Sequence, residues 1–161
     1  MGGGDKMSLV YESALSTGTG YPDRPQEDGK QRQLEISVVF TDVGPTVQAL
    51  KEAGLLAAQL DARITLVVPQ VVPWPLQLSA PPVLLEFNEA RFRVIAGRTG
   101  VPTDVRIYLC RERIPTLERA IRYGSIVVIG VRKRFWPTAE KRLAWALRRR
   151  GHQVIITEME E

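Results

Sequence analysis

The segment GVRKRFWPTAEKRLAW, Gly130 to Trp145, joins a glycine to three consecutive cations, Arg132, Lys133 and Arg134, and then to a hydroxyl, Thr138, that opens a helical pattern. Backbone freedom at glycine, positive charge and a helix start are the ingredients of a phosphate-binding turn. The segment follows the apolar run SIVVIG, where many α/β proteins place such turns. A second polar set, Thr41 and Asp42, opens the turn TDVGPT after the first apolar run. Asp42 is accounted for more simply by its place as a polar turn residue ahead of Gly44 and Pro45.

Other chemistries find little material. One cysteine, Cys110, and one histidine, His152, exclude an intrachain disulfide, a multi-cysteine zinc site and most acid/base constellations. Cys110 reads as a small core or strand-end residue. His152 sits just past the last helix, where it can cap carbonyls. Glu86 and Glu89, three apart on a helix, read as solvated helix positions rather than a catalytic pair. There is no GxSxG elbow, no GxxxxGK[ST] loop, no HExxH and no HxxH. These absences point away from an enzyme and from a metal site.

The charge is uneven. Arg132 to Arg150 carries eight basic residues against Glu140 alone, whereas the whole chain is only +4, so the remainder is net acidic. A patch of this kind attracts phosphate, nucleic acid or an anionic membrane surface, or forms a solvated helix face. Phe135, Trp136 and Trp145 lie among these cations, a mixture that suits single-stranded nucleic acid. Packing at an edge or a dimer contact explains the aromatics more simply, so nucleic acid is not the expected partner.

The elements that position these groups alternate regularly. With 161 residues, 44% apolar and 25% charged, the chain has room for one domain with a sizeable core. No apolar stretch reaches spanning length and no signal-peptide pattern opens the chain, so a cytoplasmic protein without membrane insertion is expected. Met1 to Gln33, rich in Gly, Ser, Thr, Pro and charge, reads as a flexible arm, and residues 34–161 as the folded domain. LEISVVF is a strand, and TVQALKEAGLLAAQL a helix with Val47, Leu50, Ala53, Ala57 and Leu60 on one face. RITLVVP is a second strand. A second helix starts after Pro81-Pro82 and stops near Gly97 or Gly100. TDVRIYLC, a helix PTLERAIRYG, SIVVIG, a helix TAEKRLAWALRRR with Leu143, Ala146 and Leu147 facing inward, and HQVIIT complete the pattern. This βαβαβαβαβ order requires a mainly parallel sheet with helices on both faces. Ligands in such sheets sit beyond the carboxyl ends of the strands.

The first strand running through a short turn into QALKEAGLLAAQLDARITLVV, with IVVIG, a basic loop, a helix and a closing VII strand at the far end, resembles the universal stress protein family. The resemblance spans Leu34 to Thr157. It implies an α/β fold with a five-stranded parallel sheet, doubly wound in the order 3-2-1-4-5, Rossmann-like and of the adenine nucleotide alpha hydrolase type, often dimeric. One branch of the family binds ATP through a loop G-x2-G-x9-G-S/T after the fourth strand. On this sequence those positions fall at Gly130, Lys133, Leu143 and Ala144, so three of four fail, and no glycine occurs between Gly130 and Gly151 to repair the register. Pro137 removes a further backbone donor. The acidic residue that contacts the nucleoside in the ATP-binding branch aligns to Thr41, one residue before Asp42.

The resemblance therefore implies a non-enzymatic, regulatory or stress-related domain of the branch without the ATP loop. It would act through contacts with a protein partner, with no cofactor, and as a homodimer through the last strand, whose β-branched edge invites pairing. The rival is a nucleotide or anion module, taking ATP or another adenine nucleotide, built from Thr41, Asp42, Val68, Gly130, Arg132, Lys133, Arg134 and Thr138. A third alternative is a basic adaptor for nucleic acid or a membrane surface.

Overall fold

Five apolar runs in this chain are too short for buried helices and lie apart by helical lengths; in the computed structural model, which describes residues 33–78, 85–134 and 138–160, each is a strand. These are β1 (Glu35–Val39), β2 (Arg63–Val71), β3 (Thr103–Cys110), β4 (Ile126–Arg132) and β5 (Gln153–Met159). Between them come α1 (Val43–Leu60), α2 (Leu85–Ala96), a 3-10 turn (Gly97–Thr99), α3 (Arg113–Ala120) and α4 (Ala139–Arg149). All strand pairs are parallel and the order is β3-β2-β1-β4-β5. β1 is central and the chain is α/β and doubly wound, as the alternation and the resemblance implied. The segment read as an arm, apart from Gln33, lies outside the described residues. So do Pro81, Pro82, Phe135, Trp136, Pro137 and the side chains of Glu86 and Glu89.

The two-residue period of the strands divides the core. Ile36 and Val38, Ile64, Leu66 and Val68, Val105 and Ile107 turn to the face covered by Leu50, Ala53 and Ala57 of α1 and Phe92 and Ile95 of α2. Val39, Val67, Val127, Ile129 and Val131 turn to the other face, against Leu117 of α3 and Leu143, Ala144 and Leu147 of α4. Each side chain of this class removed from water contributes roughly 1.5 to 3 kcal/mol. The helical faces differ from expectation at two points. Leu60, the last residue of α1, is 46% exposed. On α4 it is Ala144 rather than Ala146 that is buried.

Boundaries shifted for local reasons. α1 begins at Val43 rather than Thr46, and α3 at Arg113 rather than Pro115. Both prolines thus sit inside the first turn, where the missing N–H would have no intrahelical acceptor. Asp42 caps α1, its Oδ1 accepting from the Val43 N–H at 2.8 Å. Thr138 caps α4 through the Lys141 N–H at 3.4 Å, with Glu140 in the first turn and Arg148 and Arg149 in the last. These charges complement the helix dipole at both ends. α3 stops at Ala120, before Gly124.

The consequential shift is in β4. It does not end at Gly130 but runs on through Val131 and Arg132, paired with Thr157, Glu158 and Met159 of β5. Gly130 is thereby an interior strand residue. A Cβ there would fall on the Pro45 carbonyl and lie 3.1 Å from the Pro45 Cα, so the glycine lets the first turn of α1 rest directly on β4. Gly130→Ala must push α1 away from the sheet, and overpacking of this kind costs about 2 to 3 kcal/mol. Urea unfolding should show a lowered midpoint with an unchanged slope; a midpoint equal to wild type contradicts the close contact.

Candidate functional site

The carboxyl ends of β1 and β4 flank the point where strand order reverses, and the turn into α1 and the start of α4 enclose an open cleft of about 450 Å³ there. Thr41, Asp42, Gly130, Arg132, Arg134 and Thr138, six of the residues singled out by sequence, line it. Two others do not. Val68 is 2% exposed and belongs to the core beneath α1 and α2. Lys133 turns away, its Nζ 3.5 Å from Glu160 and its backbone N–H donating to the Met159 carbonyl.

The polar groups of the cleft are engaged with one another. The Thr41 hydroxyl donates to the Gly130 carbonyl at 2.7 Å, and the Thr41 N–H donates to the Thr46 hydroxyl. The Arg132 guanidinium donates to Asp42 Oδ2 at 2.7 Å from Nη2 and at 3.3 Å from Nε. Together with the Val43 N–H, this bond holds the Asp42 carboxyl below its ordinary range. The Thr138 hydroxyl serves its own helix, and Glu140 adds a carboxylate to the lining at the same helix start. Phosphate entering the cleft meets Arg134 as a cation with no carboxylate partner among the described residues, Arg132 already paired, and Glu140 opposed to it. Gly44 of the same turn packs against Met159, which ties α1, β4 and β5 together on this side.

Across the start of α4 lies a second hollow of about 330 Å³, lined by Val71, Arg111, Arg113, Ile114, Pro115 and Leu143 among others. Arg113 Nη2 donates to the Phe40 carbonyl at 3.2 Å, while its Nε is buried with no hydrogen-bond partner among the described residues. Arg111 donates to the Val72 and Leu76 carbonyls and stacks 3.9 Å over the Trp74 ring. Motif spacing carries no sign of this pair; the signal in the sequence is RERIP, two cations bracketing a glutamate between the third strand and its helix. Cys110 is fully buried and burial pushes its thiol up, in keeping with a core residue. His152 lies at the opposite, amino-terminal end of β5, buried, with Nδ1 unpartnered among the described residues. Its backbone N–H, not its ring, is seen to cap the helix, through the Leu147 carbonyl. No cluster of metal-ligating side chains occurs among the described residues.

No protein-family model and no curated protein matches this sequence. Solved structures do. A protein of the universal stress protein family from Burkholderia pseudomallei is 27% identical with a TM-score of 0.54, covering 76% of this chain and 94% of its own. A universal stress protein from Archaeoglobus fulgidus is 16% identical with a TM-score of 0.55, over 76% of this chain and 92% of its own. A universal stress protein solved in complex with cAMP is 12% identical with a TM-score of 0.52, over 79% and 98%.

Because Asp42 both caps α1 and anchors Arg132, Asp42→Ala should destabilise the protein by about 0.5 to 2 kcal/mol at neutral pH. The folded-state pKa is depressed, so the carboxylate's contribution is complete above its ordinary value of 3.8 and fades as the pH falls through the lower folded value. Urea midpoints of wild type and variant should therefore converge in acid towards the residual difference made by a neutral cap. A gap that widens as the pH drops contradicts the assignment.

Proposed function

We propose that this protein, whose fold is that of the universal stress protein family and whose sequence resembles it, is a non-enzymatic regulatory module. It works through protein contacts and does not hold the triphosphate of ATP as the glycine-loop branch does. The observation that carries this is the role of Gly130. The first glycine of the loop is committed to the Pro45 carbonyl, and no other follows before Gly151. Side chains at Lys133 and Leu143 stand where that branch brings backbone to phosphate, and Leu143 is part of the core. A non-enzymatic role is supported by the positions of the two best candidate bases and nucleophiles. Cys110 is sealed in the core with a raised pKa, and His152 is at the wrong end of the sheet.

The protein contact that the architecture favours is a second copy of this chain along β5. That strand is an edge of the sheet, with Ile155, Ile156 and Thr157 only partly covered. An edge of this composition pairs readily. Light scattering at micromolar concentration should report a dimer, and Ile156→Lys should return it to monomer. A monomer at every concentration tested contradicts pairing.

One observation favours a second reading, a small anion or cyclic nucleotide in the cleft: Arg134 and the start of α4 border an open space of about 450 Å³, and a related structure was solved with cAMP. A single phosphate asks less of a glycine cradle than three do. Isothermal titration with ATP, cAMP and tripolyphosphate, at about 0.15 M salt where exposed charges are screened, separates the cases. The expected result is no adenine-dependent heat, with weak tripolyphosphate binding that salt abolishes. Micromolar binding of ATP that tripolyphosphate does not reproduce contradicts the proposal, and such binding of cAMP alone establishes the second reading.

A further inference from the structure

Among the described residues, the outward face of α4 has no partner. Leu143, Ala144 and Leu147 point at the sheet, and at 100° per residue this places Trp145 directly opposite them, with Arg142 and Arg149 beside it. Trp145 is 61% exposed. The Arg149 guanidinium lies 4.6 Å over one side of its ring, leaving the other side open, and Arg142 is exposed one turn earlier. Arg148 flanks this line towards β5, donating to the Val154 carbonyl, and Lys141 lies in the first turn, its Nζ donating to the Arg134 carbonyl. From Lys141 to Gln153 the chain contains no carboxylate, and the described ion pairs of this helix neutralise Arg150 alone, through Glu118 at 3.0 Å. The face is thus a convex ridge with one indole at its crest and cations on both sides.

We propose that this face docks the protein on an anionic lipid bilayer, Trp145 settling at the headgroup level and Arg142, Arg148 and Arg149 meeting lipid phosphates. Charge complementarity requires an anionic occupant, which excludes a second copy of the same face. The shape selects among anionic partners. Tracking a single strand takes a positive groove with successive aromatics, and this face is convex with one. Reading a duplex takes a helix that projects into the major groove, and α4 lies flat on the sheet beside α3 and β5. A bilayer is planar and deformable, accepts an amphipathic ring at its interface, and attracts each nearby Lys or Arg additively. No helix among the described residues is long and apolar enough to cross a membrane, so the attachment is peripheral. The ridge lies on the outer side of α4, away from both hollows, and neither the cleft nor its ligand enters into the proposal.

The test is co-sedimentation of the full chain with vesicles of phosphatidylcholine alone or with about 30% phosphatidylserine, at about 0.1 M salt. Binding is expected only to the anionic vesicles, with tryptophan emission shifted to the blue. Arg142→Gln with Arg149→Gln should weaken it about 25-fold, roughly fivefold for each charge. Trp145→Ala should lose the emission shift, and Lys51→Gln, on α1, should change nothing. All four side chains are solvent-facing, and circular dichroism confirms that the variants fold. The proposal is overturned by absence of binding to anionic vesicles, by undiminished binding of the double arginine variant, or by a full emission shift in Trp145→Ala. It is also overturned if an oligonucleotide at equal phosphate concentration strips the protein from vesicles and its binding depends on the same arginines, which assigns the ridge to nucleic acid.

Discussion

The approach of the Pro45 carbonyl to Gly130 is the constraint on which the ligand end of this fold depends. A parallel sheet leaves a crevice where strand order reverses, between β1 and β4. Here the turn leaving β1 bends across that crevice instead of standing clear of it. The absence of a Cβ at Gly130 allows the approach, and each neighbouring polar group then finds a protein partner: Thr41 the Gly130 carbonyl, Asp42 the Arg132 guanidinium, Thr138 its own helix. The first two of these bonds hold the turn into α1 against β4. The cleft that remains is polar at its rim and largely satisfied within, unlike a phosphate cradle, which keeps its donors free.

The same helix, α4, has two distinct electrostatic environments. Its first turn faces the cleft with Glu140 and a capped N-terminus, while its outer side carries Arg142, Arg148 and Arg149 around Trp145, with no carboxylate partner among the described residues. The excess of basic residues between Arg132 and Arg150 is therefore not one patch. Arg132, Lys133 and Arg150 are tied to Asp42, Glu160 and Glu118 respectively; of the remainder, Arg134 lines the cleft, while Arg142, Arg148 and Arg149 belong to the ridge. Linear charge density alone cannot separate these, since the strand period sends Arg132 and Lys133 in different directions.

Much of the fold was legible because it rests on period. Runs such as ISVV and IVVIG can be buried on both faces only in a parallel sheet between helices, and the intervening helices show their apolar stripes. Strand order needed the family resemblance in addition, since alternation alone permits several orders. Element ends were less legible for a physical reason. Val131 and Arg132 become strand because β5 runs alongside them, a tertiary pairing with no local signature. Val68, one of the residues of the rival nucleotide or anion site, shares the parity of Ile64 and Leu66, which turns it to the core. Gly130 was read as a loop glycine; its actual reason, a helix turn passing over it, depends on a residue 85 positions earlier. Arg113, which reaches the Phe40 carbonyl, is invisible to motif reasoning because the loop motif follows the fourth strand and Arg113 follows the third.

The central claim, that the turn into α1 rests on Gly130 and leaves the cleft between β1 and β4 without a triphosphate cradle, is tested most directly by amide NMR during titration with ATP at about physiological ionic strength. The account predicts small shifts confined to Arg132, Arg134 and the first turn of α4, the same with tripolyphosphate as with ATP. Saturable, adenine-dependent shifts at Val39 to Val43 and at Gly130, with loss of the Thr41 to Gly130 hydrogen bond, would contradict it.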